Sequence, residues 1–258
     1  MAIARHGTGP RATLGAVASQ VHPVFMAPPL AASGFGAVLG GFAHPRLALL
    51  HLGVAFCALY TAHVKDGLVD FHHRGEDDDH PLTRRGCHLA LAASTALFFL
   101  GTGLLAHLVD PVVALLALPG WLVAVLHAPQ LDTNPFGATL GYPVGIGFAL
   151  LGGYYVQTRA LSTAAVAFAA VFVVVLAGIK VVDDATDYDY DRSVEKRTVA
   201  VILGPPAARR LASGLMGAGM VAVAALSITG VVPRGSALAV LPFLAVAFVA
   251  RRADAELA

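Results

Sequence analysis

The sequence has 258 residues, of which 57% are hydrophobic and 13% are charged, and its mean hydropathy is +0.73. Soluble domains carry about 25% charged residues, so this composition excludes an ordinary soluble protein and predicts a polytopic membrane protein. The net charge of +1 argues against a nucleic-acid partner. The two cysteines, Cys57 and Cys87, provide neither a disulfide framework nor a CxxC metal site.

Apolar segments long enough to span a membrane recur along the whole chain, because a spanning helix needs about 20 mostly apolar residues. The first contains Pro23, Pro28 and Pro29 and reaches Gly40, which is too long for a cleaved signal peptide, so we interpret it as one retained, kinked helix. The predicted spans are 14–42, 46–66, 87–109, 111–128, 136–157, 161–182, 208–232 and 235–250.

These spans predict an all-α membrane bundle of about eight helices in a single domain over residues 1–258. Glycine-rich stretches at 137–141 and 145–147 favour close helix packing, and they are also compatible with a wall thinned to admit a long-chain ligand.

The distribution of basic residues predicts the orientation in the membrane. With the N-terminus in the cytoplasm, 14 of the 17 Lys and Arg residues lie on the cytoplasmic side and 3 on the other side. We therefore expect a multi-pass protein of the cell membrane whose two acidic segments, residues 65–83 and 181–204, both face the cytoplasm.

The two acidic segments follow the second and sixth predicted spans. Each contains five aspartates, of which three are candidate ligands, and the helical spacing of most of these three places neighbouring carboxylates on one helix face. In the first segment, Gly75 can turn the chain between the second and the third aspartate. The six aspartates are Asp66, Asp70, Asp77, Asp184, Asp187 and Asp191. We interpret Asp78, Asp79 and Asp189 as solvated loop residues.

Clustered carboxylates repel one another unless a cation lies between them. Mg²⁺ is typically held by one or two carboxylates together with phosphate oxygens of a substrate. The six aspartates are therefore predicted to bind Mg²⁺, which in turn binds a polyanion such as diphosphate. Five further side chains are candidates for direct phosphate contacts: Lys65, Arg74, Lys196, Arg197 and His22.

Other classes of site and function fit the residues less well. A calcium loop starting at Asp187 would need Gly and Glu where Arg192 and Thr198 stand. A histidine-rich di-iron enzyme would need several histidine pairs, but only His72 and His73 are adjacent. A secondary transporter would carry charges near the bilayer midplane, whereas here they lie at helix ends. A non-catalytic membrane scaffold stays open.

The acidic motifs resemble those of the UbiA superfamily of intramembrane prenyltransferases. The segment DGLVDFHHRGED, from Asp66 to Asp77, is similar to the first motif of the menaquinone branch of that family. The segment from Asp184 to Asp191, followed by EKRTVAVILG, is similar to the second motif. The stretches GGYYVQT and HPVFMAPPLAASGFGAVLG also resemble helices of that family.

The resemblance implies a bundle of about eight to nine helices around a central cavity open to lipid. It also implies a Mg²⁺-dependent enzyme that transfers an isoprenyl group from an isoprenyl diphosphate to a lipophilic acceptor. Asp66, Asp70, Asp187 and Asp191 would be catalytic, and the ring faces of Tyr154 and Tyr155 would line the cavity for the prenyl chain and the acceptor.

The acceptor that the resemblance favours is 1,4-dihydroxy-2-naphthoate, in menaquinone synthesis. Another quinone head group, geranylgeranylglyceryl phosphate or a carotenoid are alternatives. This chain has Asp66 where the family usually has Asn, and His22 where an Arg is common. It also has eight predicted spans where the family usually has nine, so a homo-oligomer in which a second copy supplies the missing wall is a further alternative.

Overall fold

A computed structural model describes the backbone of residues 2–256 and the side chains of residues 2–248. This part of the chain is helical and has no β-strand, apart from one isolated bridge between Ala4 and Leu82. The α-helices are α1 (Gly9–Ala18), α2 (Pro23–Leu39), α3 (Pro45–Val69), α4 (Arg84–Leu108), α5 (Val112–Leu126), α6 (Pro135–Thr158), α7 (Thr163–Thr186), α8 (Tyr188–Ser193), α9 (Val199–Leu203), α10 (Pro205–Ile228) and α11 (Val240–Glu256).

Six of the helices are long and apolar enough to cross a membrane, namely α3, α4, α5, α6, α7 and α10. The two remaining predicted spans correspond to shorter apolar helices, Pro23–Leu39 and Arg234–Phe248. The protein is thus a multi-pass all-α membrane bundle, as its composition predicts.

The prediction of one kinked first helix over residues 14–42 is wrong, because this region forms two helices. Helix α1 ends at Ala18 and α2 begins at Pro23. A proline has no backbone N–H and disfavours helical geometry in the residue before it, so it starts a helix well and continues one poorly. Pro28 and Pro29, in contrast, lie inside α2.

Small residues bring α2 and α6 into backbone contact. A Cβ atom added to Gly36 would collide with the carbonyl of Leu150, and one added to Gly153 would collide with the carbonyl of Ser33. Close approach of this kind is how helices associate in lipid, where burial of apolar surface does not drive association. Helices α2 and α6 therefore form one of the rigid walls of the bundle.

The glycine-rich part of α6 contains both a packing contact and open space beside the cavity. A Cβ added to Gly147 would lie 3.0 Å from Val173 on α7, so this glycine allows close packing. Gly145 has no neighbouring atom within 4 Å of the equivalent position and lines the main cavity. At Gly145 the missing side chain leaves room for a ligand.

Two interruptions of helical geometry position the acidic segments. Helix α3 continues into a π turn, Asp70–Arg74, which ends at Gly75 with φ +68°. This left-handed conformation is easy for glycine and reverses the chain, as the sequence predicts. A second π turn, His127–Leu131, follows α5.

Candidate active site

One large cavity, of about 860 Å³, lies within the bundle. Its walls are mostly apolar and include Val54, Phe98 and Leu116, whereas carboxylates lie at one end. His51 and Asp70 both line the cavity and are separated by about 19 residues of α3 and its π turn, which corresponds to about 28 Å along a helix. The cavity thus joins a charged end to a long apolar channel.

Four aspartates of the first acidic segment line the cavity: the predicted ligands Asp66, Asp70 and Asp77, and also Asp79. Helix α3 carries Asp66 and the π turn begins at Asp70, so the two carboxylates lie about one helical turn apart. Oxygen Oδ1 of Asp70 is buried and has no hydrogen-bond partner. Arg74 Nη1 lies 3.5 Å from this oxygen, beyond a good hydrogen bond, so the buried charge is only partly compensated and the oxygen is a candidate ligand for a cation.

Arg74 is held by carboxylates of the protein itself. Its guanidinium donates hydrogen bonds of 2.6 and 3.2 Å to the two carboxylate oxygens of Asp132, in the turn after α5. It also lies 3.5 Å from Asp70 and 3.6 Å from Glu76. Arg74, predicted as a phosphate contact, therefore compensates the charge of three carboxylates around it.

The two acidic segments meet through Glu76. The ammonium of Lys196 lies 3.7 Å from this carboxylate, and the hydroxyl of Tyr190 donates a hydrogen bond of 3.2 Å to it. Burial, and then the charge of Glu76, raises the pKa of Tyr190 to about 12, so its hydroxyl stays protonated and donates. The expected facing arrangement of the two segments is therefore present in the structure.

The second acidic segment does not form one continuous helix, contrary to the prediction from its spacing. Helix α7 ends at Thr186 and α8 begins at Tyr188, so Asp187 lies at the junction and is exposed. Asp184 and Asp191, in contrast, are 2% and 6% exposed. A rigid helix would keep the three carboxylates on one face, whereas the junction separates Asp187 from the other two.

The buried carboxylates of this segment are only partly compensated. Lys180 forms ion pairs of 2.6 Å with Asp184 and 2.9 Å with Asp183, yet Oδ2 of Asp184 is buried without a partner. Burial raises the pKa of Asp191, an effect that Lys196 opposes and Asp184 reinforces. A divalent cation would relieve both the crowding and the unpartnered oxygens, so the residues present fit the predicted Mg²⁺.

Three histidines line the cavity, and one of them contacts Asp66. The rings of His22 and His63 stack with centroids 4.7 Å apart and planes 14° apart. His127 Nε2 lies 3.8 Å from Asp66 Oδ1, and all three histidines line the cavity. His22 therefore lines the same cavity as the aspartates of the first segment, and its contact with diphosphate stays a prediction, whereas the sequence does not predict His63 or His127 there.

Among the described residues, four of the thirteen predicted site residues line the cavity, namely Asp66, Asp70, Asp77 and His22. Asp184, Asp187 and Asp191 of the second acidic segment are not part of its lining, and Lys65, Tyr154 and Tyr155 lie elsewhere in the bundle. Lys65 lines a separate, smaller cavity with Thr61 and Trp121, because it lies on another face of α3 than Asp66. Tyr154 packs its backbone against Gly36 and Gly40, and Tyr155 bonds to Asp110. The prediction that these two tyrosines line the cavity is wrong, because both lie near the end of α6 that is remote from the aspartates.

The aromatic residues that line the cavity are not the predicted Tyr154 and Tyr155. The cavity is lined by the aromatic rings of Phe25, Phe98, Tyr142 and Phe148.

Asp79 is not simply solvated, since it binds Arg5 and His6 at 3.1 and 2.9 Å. Arg197 is exposed, and its backbone N–H donates a hydrogen bond of 3.3 Å to the carbonyl of Asp132.

Comparison with known proteins identifies the class. The sequence model of the UbiA prenyltransferase family matches residues 25–256, and the chain belongs to this family. No protein of the curated set matches it at a significant level. The family assignment agrees with the resemblance of the motifs, without distinguishing between branches.

Solved structures of UbiA homologues share the fold. A homologue from Archaeoglobus fulgidus bound to GPP and Mg²⁺ has a TM-score of 0.71 and 17% identity, covering 92% of this chain and 86% of its own. An apo homologue from Aeropyrum pernix K1 has a TM-score of 0.67 and 19% identity, covering 90% and 91%. A digeranylgeranylglyceryl phosphate synthase has a TM-score of 0.63 and 14% identity, covering 86% and 78%.

Proposed function

We propose that this protein transfers an isoprenyl group from an isoprenyl diphosphate to a lipophilic acceptor with the help of Mg²⁺. The observation that carries the proposal is the cavity, which has the carboxylates of Asp66, Asp70 and Asp77 at one end and an apolar channel behind them. The buried carboxylate of Asp184 adjoins this end through its ion pair with Lys180, which lines the cavity. This shape matches a molecule with a diphosphate head and a hydrocarbon tail. The Archaeoglobus fulgidus homologue was solved with such molecules, GPP and DMAPP, together with Mg²⁺.

The residues that would hold Mg²⁺ are the six predicted aspartates: Asp66, Asp70, Asp77, Asp184, Asp187 and Asp191. Asp187 would contribute from the junction between α7 and α8, where it is exposed. When bound, the cation neutralises the diphosphate and makes it a better leaving group. Among them we assign the catalytic role to Asp66, Asp70, Asp187 and Asp191, as the family resemblance implies.

Cationic side chains of the protein complete the charge balance at the diphosphate. Lys180 lines the cavity beside Asp184, and Lys196 lies between the two segments. Preorganised charges of this kind stabilise the negative charge that develops on a leaving group. Arg74 acts indirectly in this scheme, because its guanidinium orients Asp70 and Glu76.

The apolar part of the cavity protects the reacting carbon from water. When the allylic C–O bond breaks, its electron pair leaves with the diphosphate and the carbon becomes electron-poor. The ring faces of Phe25 and Tyr142 line the same cavity and can stabilise positive charge. The hydroxyl of Tyr142 is fixed by a hydrogen bond of 2.8 Å to the carbonyl of Phe25.

For the acceptor we propose an aromatic compound, namely 1,4-dihydroxy-2-naphthoate in menaquinone synthesis. The support is the spacing of Asp66, Asp70, Gly75 and Asp77, which resembles the menaquinone branch of the family. The ring carbon that bears the carboxylate would form the new C–C bond and lose CO₂, whose bonding electrons restore the aromatic ring.

The test is a transfer assay on purified full-length protein. Labelled geranylgeranyl diphosphate is offered with four acceptors in parallel: the dihydroxynaphthoate, 4-hydroxybenzoate, geranylgeranylglyceryl phosphate and a carotenoid. We expect a labelled prenyl-naphthalene product that requires Mg²⁺, disappears with EDTA and returns when Mg²⁺ is added. A product on another acceptor would change the acceptor assignment, and absence of transfer to all four would contradict the prenyltransferase proposal.

A further inference from the structure

A second cluster of metal-ligating side chains lies beside the acidic site. The ligand atoms of His72, His80 and Cys87 all lie within 4.8 Å of one another. The distance from His80 Nδ1 to Cys87 Sγ is 4.0 Å. Cys87 is 0% exposed and His80 is 5% exposed. We propose that these three residues bind Zn²⁺ or a similar soft divalent cation, at a site distinct from the Mg²⁺ site.

The geometry is close to that of a zinc site. With Zn–N of about 2.0 Å and Zn–S of about 2.3 Å, a tetrahedral site separates nitrogen and sulfur ligands by about 3.6 Å. The observed 4.0 Å between His80 and Cys87 would close by a few tenths of an ångström. The carbonyl oxygen of Leu82 lies 3.1 Å from His72 Nε2 and 3.2 Å from His80 Nδ1, so it faces the same space. The backbone N–H of Leu82 donates a hydrogen bond of 3.2 Å to His80 Nδ1, and a metal bound at this nitrogen would replace that bond. This oxygen or a water molecule can complete the coordination.

The second ring nitrogen of His80 is placed to carry the ring proton in such a site. Nε2 of His80 is buried and has no hydrogen-bond partner. Its ring packs so closely against Gly67 that a Cβ atom there would collide with Nε2, and His80 also lines the main cavity. A histidine that binds a metal through one nitrogen carries its proton on the other, which then donates to a carboxylate, carbonyl or water. Nε2 would be such a donor at the cavity wall.

The donor set favours a soft cation over Mg²⁺. Mg²⁺ prefers oxygen ligands, whereas imidazole nitrogen and thiolate sulfur select Zn²⁺ and related metals. The three ligands come from three consecutive segments: His72 from the π turn after α3, His80 from the following loop and Cys87 from the first turn of α4. The cation would therefore fasten the loop that carries Asp77 to both flanking helices.

Cobalt substitution of the full-length protein in detergent tests the site. Co²⁺ bound by a thiolate gives a ligand-to-metal charge-transfer absorption, which we expect with about one equivalent of Co²⁺ and which Zn²⁺ should displace. Cys87→Ser should abolish this band. Cys57→Ser is the matched control, because Cys57 is the other cysteine of the chain and lies outside the cluster.

Two histidine variants keep the test decisive if the Cys87→Ser protein does not fold. His72→Gln should weaken Co²⁺ binding at least tenfold, because even second-shell changes cost 10- to 100-fold. Its adjacent control, His73→Gln, should bind normally, since His73 is exposed and outside the cluster. Asp70→Asn should keep the band while losing prenyl transfer, which separates this site from the proposed activity. Absence of a band in the wild-type protein, or a band that survives in Cys87→Ser and His72→Gln, would overturn the proposal.

Discussion

Arg74 and Asp132 form a forked ion pair, with hydrogen bonds of 2.6 and 3.2 Å, that joins the first acidic segment to the turn between α5 and α6. The pair is mostly shielded, since the side chains are 20% and 13% exposed. Forked pairs between Arg and a carboxylate fix orientation as well as charge. Asp132 thereby determines where the guanidinium of Arg74 lies relative to Asp70 and Glu76.

Asp132→Asn should therefore impair the site although Asp132 does not itself line the cavity. The amide keeps the shape but loses the charge, so Arg74 shifts toward Asp70 and competes with a metal for that carboxylate. We expect transfer to fall about tenfold, which corresponds to about 1.4 kcal/mol, together with a higher Mg²⁺ requirement. Initial rates measured over a range of Mg²⁺ concentrations check this. Asp189→Asn, an exposed change on α8, is the control, and an unchanged Mg²⁺ requirement in Asp132→Asn would contradict the role.

Gly145 offers a test of the apolar channel. Space is open around its missing side chain, and it lines the cavity. Gly145→Leu should fill part of the channel and shift preference toward shorter donors. The ratio of rates with GPP and geranylgeranyl diphosphate, measured in competition, should change by about tenfold, in line with the 1–3 kcal/mol that pocket volume contributes to specificity. Gly103→Leu, also without close neighbours but outside the lining, should leave the ratio unaltered. If Gly145→Leu has the same ratio of rates with GPP and geranylgeranyl diphosphate as Gly103→Leu, the prenyl chain does not occupy this channel.

The membrane orientation is testable with single cysteines at exposed positions of the two acidic segments. Asp78→Cys and Ser193→Cys should be protected from an impermeant thiol reagent in intact cells and react after permeabilisation, because the basic residues favour a cytoplasmic location. Both positions are exposed in the structure, so failure to react after permeabilisation is not expected. Labelling of both in intact cells would reverse the orientation.

Much of the fold follows from composition and hydropathy, because apolar segments of membrane length have few structural choices in lipid. The positions of α3 through α7 and α10 were predicted within a few residues. The first span was not, since single-residue effects at Pro23 divide it, and an apolar pattern alone does not show where a helix restarts.

The site was predictable where its chemistry is local in sequence. The spacing of Asp66 and Asp70 placed both on the cavity wall. Contacts between distant segments were not predictable in the same way. Asp132 follows the predicted fourth span and lies on the same predicted side of the membrane as both acidic segments. An isolated carboxylate at this position is the one sequence feature that could have indicated its contact with Arg74. No feature of the sequence indicates the contacts that Glu76 and Lys180 make in the structure.

The direction of a side chain around a helix also limited the prediction. Lys65 and Asp66 are neighbours in sequence, yet they line different cavities, because successive residues of an α-helix point about 100° apart. The adjacent tyrosines Tyr154 and Tyr155 were assigned to the cavity by resemblance, although their position near the end of α6 places them far from the aspartates.

We propose that buried carboxylates whose charge the protein compensates only in part, Asp70 and Asp184, hold the cation that activates the diphosphate. The most direct test of this proposal is the Mg²⁺ dependence of prenyl transfer by Asp70→Asn and Asp184→Asn, with the yield and helicity of each protein checked in parallel. Both residues have a buried oxygen without a partner. Loss of one such preorganised group commonly costs about 10²–10³ in rate, so both variants should fall by that amount, while Asp78→Asn, exposed and outside the cavity lining, should stay close to wild type. Near-normal, Mg²⁺-dependent turnover in both variants, or full activity of the wild-type protein in metal-free buffer, would contradict the account.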